Sequence, residues 1–128
     1  MPHSVSHHIE VDRVRKIVEL RVSGVLAPED SEWIGEEVRA AIRTLGADVG
    51  RHCTLYDASG VAVVPAATVD RIMRAFDNAE VRKLWARKVA FVVSTALARR
   101  QVLRLRQVRP DFGVFDTREA AIAWLLEE

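Results

Sequence analysis

One cysteine in 128 residues, Cys53, leaves no internal disulfide to form, and that sets aside the stapled secreted domains. The start, Met1-Pro2-His3-Ser4, lacks the basic and apolar segments of a secretion signal. A reducing, cytoplasmic setting is the expectation. Apolar runs such as Val89–Val93 stop far short of the about twenty residues a membrane span requires, so no transmembrane segment is expected. Glycines are few and scattered, at Gly24, Gly46, Gly50, Gly60 and Gly113 among others, and no Gly-Lys-Ser or Gly-x-Gly run could cradle a phosphate. His3, His7, His8 and His52 do not fall at a metal-ligand spacing, and neither metal nor cofactor is expected. The basic residues are not interleaved with aromatic platforms, so nucleic acid is not an expected partner.

Catalytic pairings are missing too. His52 and Cys53 are adjacent on an expected strand and would point to opposite faces, which makes Cys53 a small buried apolar residue. Asp57 has no positioned partner that would make it a working base. Non-enzymatic function is the expectation.

What is present is the composition of one soluble α/β domain, spanning residues 1–128 with a frayed start at 1–5. Val18, Leu20 and Val22 alternate with Glu19, Arg21 and Ser23, the period of a strand with one wet face. The strand before it, from His7 to Asp12, is close enough to pair antiparallel. Pro28 opens a helix whose first turn carries Glu29, Asp30 and Glu32, and whose apolar stripe is Ile34, Val38, Ala41, Ile42 and Leu45. A short strand, Cys53 to Asp57, follows. A second helix starts near Pro65 with Val69, Ile72, Met73 and Phe76 inside, and one or two further turns run to Ala86.

Val89–Val93 reads as a fully buried strand. Ser94 or Thr95 caps a third helix with Leu97, Ala98, Val102 and Leu105 inside. A last strand, Phe112 to Phe115, leads to Asp116 and Glu119 at capping-box spacing and to a helix burying Ala120, Ala121, Trp124 and Leu125. Trp33, Trp85 and Trp124 read as core. The order is β-β-α-β-α-β-α-β-α, and strands alternating with helices call for a largely parallel sheet.

Charge is balanced overall at +1 but segregated. Glu80 to Arg109 holds nine basic residues against one acid, whereas residues 1–79 hold nine against twelve. Arg99, Arg100, Arg104 and Arg106 gather on the third helix and form a candidate patch for an anionic partner, a peripheral membrane surface included.

The second candidate is Asp57-Ala58-Ser59-Gly60, where the central strand stops. Ligands of open α/β sheets sit at such carboxyl ends, and a Ser-Gly pair could accept a phosphate. The same residues also make an ordinary turn, with Asp57 capping local N–H groups and Gly60 at positive φ.

Leu26-Ala27-Pro28-Glu29-Asp30, Leu55-Tyr56-Asp57, Lys88 to Val93, and the Phe115-Asp116-x-x-x-Ala120-x-x-x-Trp124-Leu125 segment together resemble the bacterial STAS-like family. Its small proteins are also described as SpoIIAA-like or as related to CRAL-TRIO lipid-transfer domains. The resemblance implies a STAS (SpoIIAA-like) fold, a mixed sheet of about five strands flanked by about four helices. It also implies a regulatory or protein-interaction module of unknown partner, a homodimer included. Antagonists of anti-sigma factors in that family switch by phosphorylation of a serine entering the second helix. Here that position reads Val64-Pro65-Ala66-Ala67-Thr68, and Thr68 is its nearest hydroxyl. Asp57, Ser59, Gly60 and Thr68 are therefore the expected partner or ligand surface. The alternative implied by the lipid-transfer relatives is a carrier of an apolar ligand, held in a cavity between helices and sheet. An enclosed cavity would favour that alternative and a filled core the interaction module.

Overall fold

The hairpin read from the alternation at residues 18–23 starts the sheet. In a computed structural model that describes residues 5–127, β1 (Val5–Asp12) pairs antiparallel with β2 (Ile17–Gly24). The strand begins before His7, and Val5 is buried rather than frayed; residues 1–4 lie outside the described residues. Asp12 Oδ1 accepts the backbone N–H groups of Val14 and Arg15 and closes the turn.

From β2 onward every pairing is parallel: β2 with β3 (Cys53–Gly60), β3 with β4 (Lys88–Val92), β4 with β5 (Gly113–Phe115). The spatial order β1-β2-β3-β4-β5 is the chain order. Among the described residues five α-helices flank the sheet, against about four expected: α1 (Pro28–Arg43), α2 (Ala66–Phe76), the single turn α3 (Ala79–Arg82), α4 (Ala96–Leu103) and α5 (Arg118–Leu125). The segment after α2 thus holds a helix of its own, because Asn78 Oδ1 accepts the N–H groups of Glu80 and Val81 and restarts the coil.

The strands sort their side chains by alternation. Val18, Leu20, Val22, Val89, Phe91 and Val93 face α1, α2 and α4. Ile17, Cys53, Leu55, Ala90 and Val92 face α5, whose Ala121 and Leu125 are fully buried against them. Cys53 sits in this second layer, as apolar packing.

Several local expectations change. Glu19 is not on a wet face: it is 5% exposed, because α5 brings Arg118 over it. Leu97 and Trp33 are exposed, Trp33 standing edge-on to His7 at 4.8 Å between ring centroids. Thr117, not Asp116, caps α5, its hydroxyl accepting the Ala120 N–H, and this turns Ala120 outward. Thr95 rather than Ser94 caps α4 by accepting the Ala98 N–H.

The Asp57–Gly60 segment is no turn. It continues β3, with Ser23 facing Gly60 after a register shift between Arg21 and Ser23. Gly60 does not have positive φ; its lack of a side chain is needed for another reason, since a Cβ there would lie 2.5 Å from Ser23 Cβ.

Candidate functional site

The parallel strands β2, β3 and β4 all end at one edge of the domain, and the chain leaves each through a short loop. Asp57 Oδ1 accepts both the Ser59 N–H at 3.0 Å and the Ser59 hydroxyl at 2.7 Å, which holds the strand's last residues in one conformation. Ser59 and Gly60 are exposed and Asp57 is partly buried. The loop beyond is pinned from the next strand: Ser94 Oγ donates to the Ser59 carbonyl and Thr95 Oγ1 to that of Ala62, both at 2.7 Å. Gln101 of α4 takes both backbone groups of Val64. The loop fixed at these points buries Val61 and Val64 and turns the side chains between them outward. Val63 is exposed there, as are Val25 in the loop after β2 and Leu97 at the start of α4.

Thr68 stands apart from these residues. It is 0% exposed, and its hydroxyl donates to the Leu26 carbonyl at 2.8 Å, tying α2 to the loop before α1. The four residues expected to form one surface therefore divide: three at the strand end, one inside.

The arginine patch is also divided. Arg99 lies 3.5 Å from Asp116, and Arg104 donates to Asp70 at 3.0 Å. Arg106 donates to the Phe112 carbonyl and covers the Phe112 ring. Arg100 is exposed. Intramolecular partners thus neutralise two of the four charges, which the sequence could not show because Asp70 and Asp116 lie far off in the chain.

Between the sheet and the α1–α2–α4 layer is a cavity of about 610 Å³. Its walls are mostly apolar, with Leu20, Val38, Ile72, Phe76 and Phe91 among them. Exposed Glu32, Glu36, Arg74 and Asn78 also line it, so it opens to solvent along the α1–α2 side. Arg71 reaches across from α2 to Glu32 of α1 at 2.7 Å. Tyr56 stacks on Phe91 at 5.0 Å in the cavity wall, and burial pushes its phenol up to about 12, against a weaker downward pull from Arg39 and Arg109. At neutral pH it is an uncharged donor. The size falls within the range of about 300–1,000 Å³ usual for small-molecule sites. Sequence reading placed a cavity between helices and sheet only as an implication of resemblance, because an apolar stripe looks the same whether it meets a neighbour or a void.

Among the described residues, no group of three or more His, Cys, Asp or Glu side chains could hold a metal ion. No helix among them is long and apolar enough to cross a membrane. His52 is fully buried, with Nδ1 accepting the Gly50 N–H at 3.1 Å, and burial holds its pKa below the ordinary value.

A profile of the SpoIIAA-like family matches residues 17–126. Among solved structures, an uncharacterized protein with a SpoIIAA-like fold from Shewanella loihica aligns with a TM-score of 0.66 at 16% identity, over 98% of this chain and 96% of that one. The anti-sigma factor antagonist SpoIIAA in its unphosphorylated form aligns at 0.63 and 17% identity, over 93% and 95% of the two chains. An anti-sigma factor antagonist from Mycobacterium paratuberculosis aligns at 0.58 and 16%, over 99% and 98%. At these identities the likeness is one of fold. No curated protein sequence matches the chain.

Proposed function

We propose, from the premise that this chain belongs to the SpoIIAA-like family, that it is a non-enzymatic regulatory module working through contact with a protein partner. The contact surface in this reading is the carboxyl edge of the parallel strands, with Ser59 and Gly60 beside the exposed Val25, Val63 and Leu97. The observation that carries it is that three large apolar side chains stand in water at that one edge, Val25 in the loop after β2, Leu97 in the first turn of α4, and Val63 on a loop tied down by Ser94, Thr95 and Gln101. Apolar residues on a rigid display lose little entropy when a partner covers them. Two similar folds, in the solved anti-sigma factor antagonists named above, belong to proteins with a regulatory role of this kind.

A photo-crosslinking side chain at position 63, introduced in the cells that make the protein, tests the reading. A discrete adduct is expected at position 63 and not at position 14, which is 92% exposed at the hairpin turn at the opposite edge. Leu97→Asp should abolish the adduct. Equal labelling from both positions, or none, would overturn the proposal; an adduct of twice the chain's mass would identify the partner as a second copy.

A second reading is favoured by one observation, the cavity of about 610 Å³. In it the protein binds an apolar small molecule between α1, α2 and the sheet, whether or not it also meets a protein partner.

A further inference from the structure

The sheet has two outer strands, and they are built differently. At one edge β5 has three residues, a short strand that offers little backbone to a newcomer. At the other, β1 runs for eight residues, Val5–Asp12, and pairs with β2 residue for residue without a bulge. Among the described residues nothing pairs with its outer side. Its sequence, Val-Ser-His-His-Ile-Glu-Val-Asp, holds no proline and no lysine, two of the devices that keep a free edge from pairing.

The helix side of this edge is left incompletely covered. Ile9 and Val11 pack against the apolar core yet stay partly exposed, whereas Leu20 and Val18, which face them across the hairpin, are buried. Beside them Trp33 of α1 stands exposed against His7. Ser6, His8 and Glu10 point to the other face of the sheet and are exposed as well.

What fits a strand edge is another strand, and β1 is complementary to itself. Two copies related by a two-fold axis normal to the sheet pair antiparallel and keep like faces together. The axis must then pass between a residue and its own counterpart. Centred on Ile9, the pairing sets Ile9 against Ile9, His7 against Val11, and His8 against Glu10 on both sides of the axis. Centred on His8 it sets imidazole on imidazole, and centred on Glu10 it sets carboxylate on carboxylate. Centred on Val11 it opposes Glu10 with Asp12, and centred on His7 it leaves Val11 uncovered. The Ile9 register alone joins apolar centre to apolar centre and gives each Glu10 a hydrogen-bonding partner. Within one strand His8 Nε2 already lies 3.2 Å from Glu10 Oε1. Both side chains are exposed there, so trading that contact for the one across the axis costs little.

We propose that β1 pairs antiparallel with β1 of a second copy about Ile9, joining two five-stranded sheets into one. The contact runs along the side of the sheet, apart from the carboxyl edge assigned above to a protein partner, and it stands or falls independently of that reading.

Glu10→Lys and His8→Glu, both at exposed positions, test it in the full chain by sedimentation equilibrium. The unaltered protein is expected at twice the chain's mass. Glu10→Lys alone sets lysine against His8, and His8→Glu alone sets glutamate against Glu10. Each should weaken association about tenfold or more. Mixed in equal amounts, the two variants should recover it, because each introduced lysine then faces an introduced glutamate and each remaining His8 a remaining Glu10. Mixing cannot repair a damaged fold, so recovery reports the register itself. A chain that stays monomeric at every concentration would overturn the self-pairing and leave the edge to an extended segment of another protein. A dimer indifferent to both variants, or one that mixing fails to restore, would overturn it by placing the contact elsewhere.

Discussion

A carboxylate that is 5% exposed must be answered by a cation, and Arg118 answers Glu19 with two hydrogen bonds of 2.7 and 2.8 Å. The guanidinium holds Glu19 below its ordinary pKa of 4.5 against the opposing effect of burial. A lowered carboxylate pKa adds stability that is present above the ordinary value and lost as the pH falls through the folded one. His52 acts earlier on the same descent. Burial lowers its pKa from 6.5, so below that pH the unfolded chain takes up a proton the folded one resists, and stability falls. Urea unfolding across pH 8 to 3 should therefore show loss beginning near 6.5 and deepening below 4.5. Arg118→Met should cost about 2 kcal/mol at pH 7, the lower part of the range for a broken buried pair because Arg118 is itself partly solvated. It should also remove the deeper acid limb while leaving the His52 limb in place. Gly60 is a second residue with a single reason. Gly60→Val forces a side chain onto Ser23 and should cost about 1–3 kcal/mol, with Ser23→Gly restoring part of it in thermal unfolding. Neither residue was legible. Glu19 alternated correctly for a wet face, and its partner lies 99 positions along the chain; Gly60 looked like a turn former because the strand pairing that crowds it is nonlocal.

At the scale of elements, the sequence spoke clearly wherever the signal was local. The β1–β2 hairpin follows from alternation, α1 from Pro28 with Ile34, Val38 and Ile42 at helical spacing, and β4 from an unbroken β-branched run. It spoke less clearly where neighbouring residues compete for one role. Asp116 and Thr117 both suit a cap, and only the docking of α5 on Ala90 and Val92 selects Thr117. α2 carries the most consequential case. Thr68 was the nearest hydroxyl to the start of that helix, yet it is an internal strut that satisfies the Leu26 carbonyl. Thr68→Val should lower stability by about 1–2 kcal/mol through the orphaned carbonyl. Thr68→Asp should cost roughly 3 kcal/mol or more, because a charge would be buried without a partner. Thermal unfolding of the two variants checks this; a phosphomimetic that left the melting temperature unchanged would show Thr68 to be far more accessible than its packing allows.

At the scale of the molecule, the two faces of the sheet differ in kind. Helices α1, α2 and α4 stand over one face and leave about 610 Å³ open beneath them; α5 packs directly on the other face. The fold class and strand order could be read from the chain because successive strands are spatial neighbours, so that local order and global order coincide. The cavity could not, since it depends on how far apart α1 and α2 stand. That strand order has a consequence for synthesis. Elements can join the sheet one after another as they leave the ribosome, each onto the strand just before it. The face made by Ile17, Cys53, Leu55, Ala90 and Val92 is the exception, because its whole cover is α5, the last of the elements to be made. Until Ala121 and Leu125 arrive, a growing chain with its sheet already assembled presents an apolar wall to water, a surface of the kind that nascent-chain chaperones cover.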